Sequence, residues 1–91
     1  MLKRRDLPLY ALRAFEATAR LKTMADAAEE LGVTTSAVSH QIRKLEDRLG
    51  VALFDRRRKP LALTPRGAIL LSGVSESFDR LSRAAEGVGQ E

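Results

Sequence analysis

The sequence predicts a mainly α-helical domain of three helices and a short two-stranded β wing, followed by one long C-terminal helix. Three observations predict this fold class. Apolar residues recur every three or four positions in four segments, as they do on one face of a helix. A single glycine, Gly32, separates the second segment from the third. After Gly50, apolar residues that alternate locally lie on both sides of a basic cluster, as in a short hairpin. A chain of 91 residues has room for one such domain with one additional element.

Composition excludes several classes. Apolar residues make up 44% of the chain, which is enough for a modest core. There is no cysteine, so we expect neither a disulfide nor a thiolate metal site, which fits a reducing, cytoplasmic location. No apolar run reaches the roughly 18 residues that a membrane-spanning helix needs. The basic N-terminus lacks the apolar segment of a secretory signal.

The first helix is expected from about Pro8 to Arg20, because proline suits a first turn, where its missing N–H is not needed. Its apolar stripe consists of Leu9, Leu12, Phe15 and Ala19. Three arginines remain available to solvent or phosphate, namely Arg5, Arg13 and Arg20. We expect only one of them to contact a ligand, because surface arginines usually face water.

The second and third helices are joined by a tight turn. Thr23, with Asp26 three residues later, forms a capping-box pattern at the start of the second helix. Gly32 suits a left-handed C-cap at its end. Val33 is expected to be buried in the turn, and Thr34 to cap the third helix.

The third helix has two different faces. Its apolar face is formed by Val38, Ile42, Leu45 and Leu49. Its other face carries Ser36, Ser39, His40 and Arg43. Slim hydrogen-bonding groups at the N-terminal end, with a cation behind them, suit a helix that enters the major groove of DNA. Taken alone, the pattern fits an ordinary helical hairpin with a polar face equally well.

The segment after Gly50 predicts a hairpin with a basic tip. Its strands would contain Val51, Leu53, Leu61 and Leu63. The basic residues of the wing are Arg56, Arg57, Arg58 and Lys59, followed by Pro60. Two short strands are not stable alone, so we expect packing on the helices through Phe54. The tip can reach phosphates or a minor groove; the alternative is a charged tip that prevents aggregation.

The last helix begins at Thr64–Pro65, a hydroxyl N-cap followed by proline, and is expected to run to about Ala85 or Val88. Its apolar residues follow a heptad spacing: Leu71, Val74, Phe78, Leu81, Ala85 and Val88. We favour pairing of this seam with a second chain over packing on its own domain. Residues 1–64 would then form a winged helix-turn-helix domain, and residues 65–91 a linker helix for dimerisation.

The positive charge is unevenly distributed. Residues 1–22 carry six basic and two acidic side chains, and residues 55–64 carry four basic and one acidic. Such patches suit a polyanion. The total of +4 is by itself more typical of a solubilising surface, so the argument depends on the distribution.

Three segments together resemble a known family. Its first helix is matched by LRAFEATAR, its helix-turn-helix and the start of its wing by ADAAEELGVTTSAVSHQIRKLEDRLGVALFDR, and the start of its linker helix by LTPRG. Over nearly its whole length, the chain resembles the N-terminal winged helix-turn-helix domain of LysR-type transcriptional regulators. LPLYALRAFEATAR and SAVSHQIRKLE are also similar to the branch that includes the glycine-cleavage activator.

The resemblance implies sequence-specific binding of double-stranded DNA by a homodimer joined through the linker helix, with each domain reading half of an imperfect palindrome. It implies base and phosphate contacts at Thr34, Thr35, Ser36, Ser39, His40 and Arg43, and a wing contact at Arg56. A longer protein would add higher oligomers and a C-terminal domain that senses a small molecule. That domain is absent here, so the chain is expected to be a fragment.

Three residues depart from the family pattern. Thr35 stands where glutamine is frequent, His40 where arginine is commonest, and Asp26 where a basic or polar residue is frequent. These differences leave the fold prediction unchanged but put the base preference in doubt.

Two other functions compete with DNA binding. A winged helix that dimerises and binds only protein would also use the heptad seam. An enzyme would need a nucleophile–base pair, paired carboxylates or a metal cluster. With one histidine and no Gly-rich phosphate loop, the sequence predicts no catalytic residue, metal site or cofactor.

Overall fold

The computed structural model describes residues 2–89. A 3₁₀ turn at Arg4–Asp6 precedes four α-helices and two strands: α1 (Leu9–Leu21), α2 (Met24–Leu31), α3 (Thr35–Leu49), β1 (Phe54–Asp55), β2 (Ala62–Leu63) and α4 (Pro65–Gly89). The predicted fold class is therefore confirmed. None of the helices in this range combines the length and the apolar composition needed to span a bilayer.

The first helix ends close to its predicted position. It begins after Pro8 and extends to Leu21, one residue beyond the predicted end. It stops because Lys22 adopts a left-handed conformation with φ of 72°, while its N–H still donates to the Thr18 carbonyl at 2.8 Å.

The predicted caps of α2 and α3 are present. The Thr23 hydroxyl accepts the Asp26 N–H at 3.1 Å. Within the described residues the Asp26 carboxylate accepts no return bond from the Thr23 N–H, so only the hydroxyl half of the capping box forms. The Thr34 hydroxyl accepts the Ala37 N–H at 3.0 Å and caps α3. Gly32 then ends α2 with φ of 70°, where a residue with a side chain would be strained.

The prediction of a buried Val33 is wrong, since this residue is 49% exposed. Its N–H donates to the Ala28 carbonyl at 3.0 Å, so hydrogen bonds to the end of α2 hold the turn. The turn therefore needs no buried side chain, and Val33 lies beside Tyr10 in a shallow surface pocket.

The core lies where α1, α2 and α3 meet. Its largest fully buried apolar side chains are Phe15, Ile42, Leu45, Leu53 and Val38. Four buried alanines, Ala14, Ala17, Ala27 and Ala28, belong to the same cluster. Small side chains at helix crossings let the axes approach closely, which places α3 firmly against α1 with one face outward.

The wing is an antiparallel pair in which Phe54 faces Leu63 and Asp55 faces Ala62. Its strands are shorter than predicted because Leu53 bonds outside the ladder. The Leu53 N–H donates to the Glu46 carboxylate at 2.8 Å, and its carbonyl accepts from Thr64 at 3.0 Å. The predicted anchor is confirmed: the Phe54 ring lies 5.5 Å from that of Phe15.

The start of α4 is tied to the residues before the wing. The Thr64 hydroxyl accepts the Gly67 N–H at 3.1 Å, as predicted for an N-cap, and donates to the Ala52 carbonyl at 2.7 Å. Gly67 is buried against the backbone of Leu53. The absence of a side chain at Gly67 allows α4 to start this close to the core.

The heptad seam of α4 divides into two parts. Val74 is buried and Leu71 packs against the core, because the first half of α4 crosses α1. Phe78 is half-buried, whereas Leu81 is 61% and Val88 is 88% exposed. The preference for pairing over intrachain burial therefore does not describe the first two seam residues, which cover their own domain.

Candidate nucleic-acid interface

The outer face of α3 is free of the core. Ser36, His40 and Arg43 are exposed, and Ser39 is half-buried. They project from the side opposite the buried Ile42, because residues three or four apart share one helical face. The structure thus brings these four predicted side chains together on one accessible surface, which we call the α3 face.

Two threonines begin this helix. Both Thr34 and Thr35 are exposed. The Thr34 hydroxyl already accepts the Ala37 N–H, so its remaining capacity is one O–H donor and one lone pair. Thr35 forms no side-chain hydrogen bond in the described part of the chain and stays free to contact a ligand.

The α3 face is narrow at its N-terminal end. Hydroxyls at Ser36 and Ser39 can both donate and accept, and the imidazole of His40 offers two ring nitrogens for hydrogen bonds. Arg43 offers a planar fork of donors that matches either two acceptors of guanine or a phosphate. This chemistry suits the acceptor-rich edges of a nucleic-acid groove.

Arg56, for which the resemblance implies a wing contact, is paired within the protein in this structure. Its Nη1 donates to Glu46 Oε1 at 2.9 Å, and its Nη2 is buried with no hydrogen-bond partner. Glu46 Oε2 also accepts the N–H groups of Leu53 and Phe54, at 2.8 and 3.4 Å. Arg56 therefore braces the base of the wing in this conformation, with its guanidinium turned toward α3.

Sequence reasoning missed Glu46. A signal was present, because residue 46 follows Ile42 by one helical turn and precedes Leu49, and so lies beside the buried stripe. A carboxylate at such a position needs partners. The side chain is only 12% exposed, and it links α3 to the wing.

The tip of the wing carries the accessible cations. The Arg57 Nε donates to Asp55 Oδ1 at 3.0 Å, but the Arg57 side chain is 90% exposed. The hydrogen bond from this side chain is the main reason that the pKa of Asp55 is lowered. Arg58 and Lys59 are exposed, and neither forms an ion pair with another described residue.

Arg20, near the end of α1, is paired with two carboxylates. Its guanidinium donates to Glu16 at 2.8 Å and also pairs with Glu30, joining α1 to α2. The hydrogen bond from Arg20 lowers the pKa of Glu30. Arg5 and Arg13 form no ion pair in the described range.

Metal binding and catalysis find less support in the geometry. Between residues 2 and 89, no three His, Cys, Asp or Glu side chains are grouped so that they could hold a metal ion. His40 is exposed on the outer side of α3.

Comparison with known proteins agrees with this geometry. Residues 9–68 match a family described as bacterial regulatory helix-turn-helix protein, lysR family. Over 83 residues the chain is 54% identical to the HTH-type transcriptional activator AmpR of Pseudomonas aeruginosa, an alignment that covers 91% of this chain and 28% of AmpR. It is 48% identical over 83 residues to the glycine cleavage system transcriptional activator of Escherichia coli, covering 91% of this chain and 27% of that protein.

A solved structure shares the fold. The complex of BenM_DBD with catB site 1 DNA superposes with a TM-score of 0.83 at 26% sequence identity, and the match covers 89% of this chain and 91% of that one. The chain spans little more than a quarter of the length of the two curated relatives.

Proposed function

Because this chain belongs to the lysR family of bacterial regulatory helix-turn-helix proteins, we propose that it is the DNA-binding module of a transcriptional regulator and binds double-stranded DNA sequence-specifically. One observation carries the proposal: the α3 face exposes Ser36, His40 and Arg43 beside the free wing cations Arg58 and Lys59. In the similar structure of BenM_DBD, a DNA site is bound.

In this proposal α3 enters the major groove. Hydroxyl, imidazole and guanidinium groups on the α3 face hydrogen-bond base edges, which supplies discrimination between sequences. Thr34, Thr35 and Ser39 complete the contact surface. Arg43 either reads guanine with two hydrogen bonds or binds a phosphate, and these roles differ in how they depend on sequence and on salt.

The wing supplies affinity. Arg58 and Lys59, with the more exposed part of Arg57, lie against the backbone or in the adjacent minor groove, whose negative potential attracts arginine. Phosphate contacts of this kind are independent of sequence and release counterions. Arg56 supports this arrangement by holding the base of the wing in place.

The outer half of α4 pairs with a second copy of the chain. Leu81, Ala85 and Val88 continue the spacing of Phe78 and are exposed. Exposed apolar side chains along one stripe favour burial against the same stripe of another helix. Residues 65–91 then act as a linker helix, and two domains of residues 1–64 read the halves of an imperfect palindrome.

In a longer protein of this family, a C-terminal domain would respond to a small molecule and adjust this binding. The length of the relatives supports such a domain, because their aligned part is near 27–28% of the whole. Higher oligomers would also belong to that longer protein.

Selection of bound duplexes from a random pool tests the proposal directly. We expect a consensus with two symmetric halves, and binding that weakens steeply as salt is raised. Arg43→Ala should weaken binding to the selected duplex by about 1–3 kcal/mol, with less effect on a scrambled duplex, if the side chain reads a base. Equal weakening on both duplexes with a smaller salt slope would assign Arg43 to phosphate instead.

A protein-interaction module is the competing function, and the exposed Leu81 and Val88 favour it. Such a module would self-associate or bind another protein without salt-dependent affinity for a random duplex. Fluorescence anisotropy at low and high salt separates the two functions.

A further inference from the structure

A groove of about 480 Å³ lies between the start of α2 and the wing. Lys22 and Thr23 line it on the α2 side, and Arg58 and Lys59 line it on the wing side. Ser39 lines it as well, so the groove borders the α3 face.

Four cations line this groove, and one of them, Arg56, is paired with Glu46. Among the described residues, Lys22, Arg58 and Lys59 form no ion pair, although the charge of Arg58 contributes to lowering the pKa of Asp55. Three free cations around one groove create a local positive potential that favours an anion.

The first turn of α2 adds uncharged donors to the same place. The Thr23 hydroxyl and carbonyl accept the N–H groups of Asp26 and Ala27. The N–H groups of Met24 and Ala25 have no recorded partner in the described structure, as is usual for the first residues of a helix. Such donors next to cations suit the oxygens of a phosphate.

The backbone of Lys22 makes lysine an unexpected choice here. Lys22 has φ of 72°, close to the values of 70° at Gly32 and 72° at Gly50, which end the next two helices. Glycine adopts this conformation without strain, and a residue with a Cβ does not. The backbone conformation at this helix end therefore gives no reason for a lysine.

We propose that Lys22 binds a backbone phosphate of the DNA duplex, together with Arg58, Lys59 and the free N–H groups of α2, beside the bases that the α3 face reads. The inference rests on the proposed DNA binding. A lysine acts on phosphate as a mobile point charge, so the contact adds affinity without selecting sequence.

Lys22→Gly tests the inference, because glycine removes the ammonium group and tolerates the left-handed backbone. The control is Arg83→Ala, which removes one charge from α4 beyond Leu81 and away from the groove. Affinity for one selected duplex is measured with each 91-residue variant at several sodium chloride concentrations. The ratio of affinities for the selected and a scrambled duplex is measured in parallel.

We expect Lys22→Gly to reduce the slope of log K against log salt by about 0.9 for each bound domain, the value for one lost phosphate contact, and so by about 1.8 for the proposed homodimer on both half-sites. The affinity ratio should stay unchanged. Lys22→Arg should keep the wild-type slope. A Lys22→Gly slope equal to that of wild type, or a change matched by Arg83→Ala, overturns the inference while DNA binding stands. A wild-type chain with no salt-dependent binding overturns the proposed function and this inference together.

Discussion

Replacing Gly67 by alanine should destabilise the fold, although alanine favours helix. A Cβ atom built at Gly67 lies 2.1 Å from the Leu53 carbonyl oxygen, more than 1 Å short of the 3.4 Å at which ordinary contact begins. That oxygen cannot easily retreat. It accepts the Thr64 N–H at 3.0 Å, and the Leu53 N–H is bonded to Glu46.

The magnitude follows from two opposing effects. Overpacking a tight site costs about 1–3 kcal/mol, and the backbone contact at Gly67 places it at the upper end of that range. Alanine returns about 1 kcal/mol through its better helix propensity. We expect a net loss of about 2 kcal/mol, which for a domain of this size lowers the melting temperature by about 10 °C.

Gly73→Ala is the matched control in the same helix. A Cβ at Gly73 meets no atom within 4 Å, so only the propensity gain of about 0.5–1 kcal/mol remains and the melting temperature should rise. Thermal and urea unfolding are compared at a concentration where light scattering finds the same oligomeric state for all three proteins. A Gly67→Ala protein as stable as wild type would refute the reasoning from close approach.

Three further predictions concern the described side chains. Thr18 is fully buried and its hydroxyl has no recorded partner, so Thr18→Val should raise the free energy of unfolding by about 1 kcal/mol; a loss on urea unfolding would contradict this. Glu46→Ala should lower the free energy of unfolding by about 2 kcal/mol, because Glu46 accepts hydrogen bonds from Arg56 and two backbone N–H groups. In a double-mutant cycle, Glu46→Ala and Arg56→Ala should together cost less than their sum, and strict additivity would disprove the coupling. Finally, Arg20→Gln should raise the lowered pKa of Glu30 toward its ordinary value in an NMR titration. Because the pKa of Glu30 is lower in the folded than in the unfolded protein, the ion pair stabilises the fold fully above the ordinary pKa and loses this effect as pH falls through the folded value. If the free energy of unfolding of Arg20→Gln falls with acid pH as it does in wild type, the prediction is wrong.

The local features of this fold could be predicted because their signals are local. Thr23, Thr34 and Thr64 cap the helices that follow them, and Gly32 and Gly50 end helices in the left-handed conformation. Each feature depends on bonds between residues only a few positions apart. The α3 face could be predicted for the same reason, since helical spacing alone separates it from the buried stripe.

Features that depend on distant residues could not be predicted in this way. The periodicity of α4 shows which side is apolar but not what covers it, so it predicts a partner for Leu71 and Val74 although these residues cover their own domain. The wing arginines look equivalent in sequence. Arg56 differs from Arg58 because a carboxylate ten residues earlier, on another element, captures its guanidinium.

The bond set around Glu46 has a mechanical consequence. One carboxylate, that of Glu46, holds the first amides of the hairpin and its nearest arginine to the last turn of α3, so the helix and the hairpin form one rigid unit. The distance between α3 and the wing, which would enter neighbouring grooves, is then fixed before DNA binds. The protein therefore loses little conformational entropy when it binds. The DNA has to deform to fit it, and the free energy needed to bend the duplex or narrow a groove differs from one sequence to another.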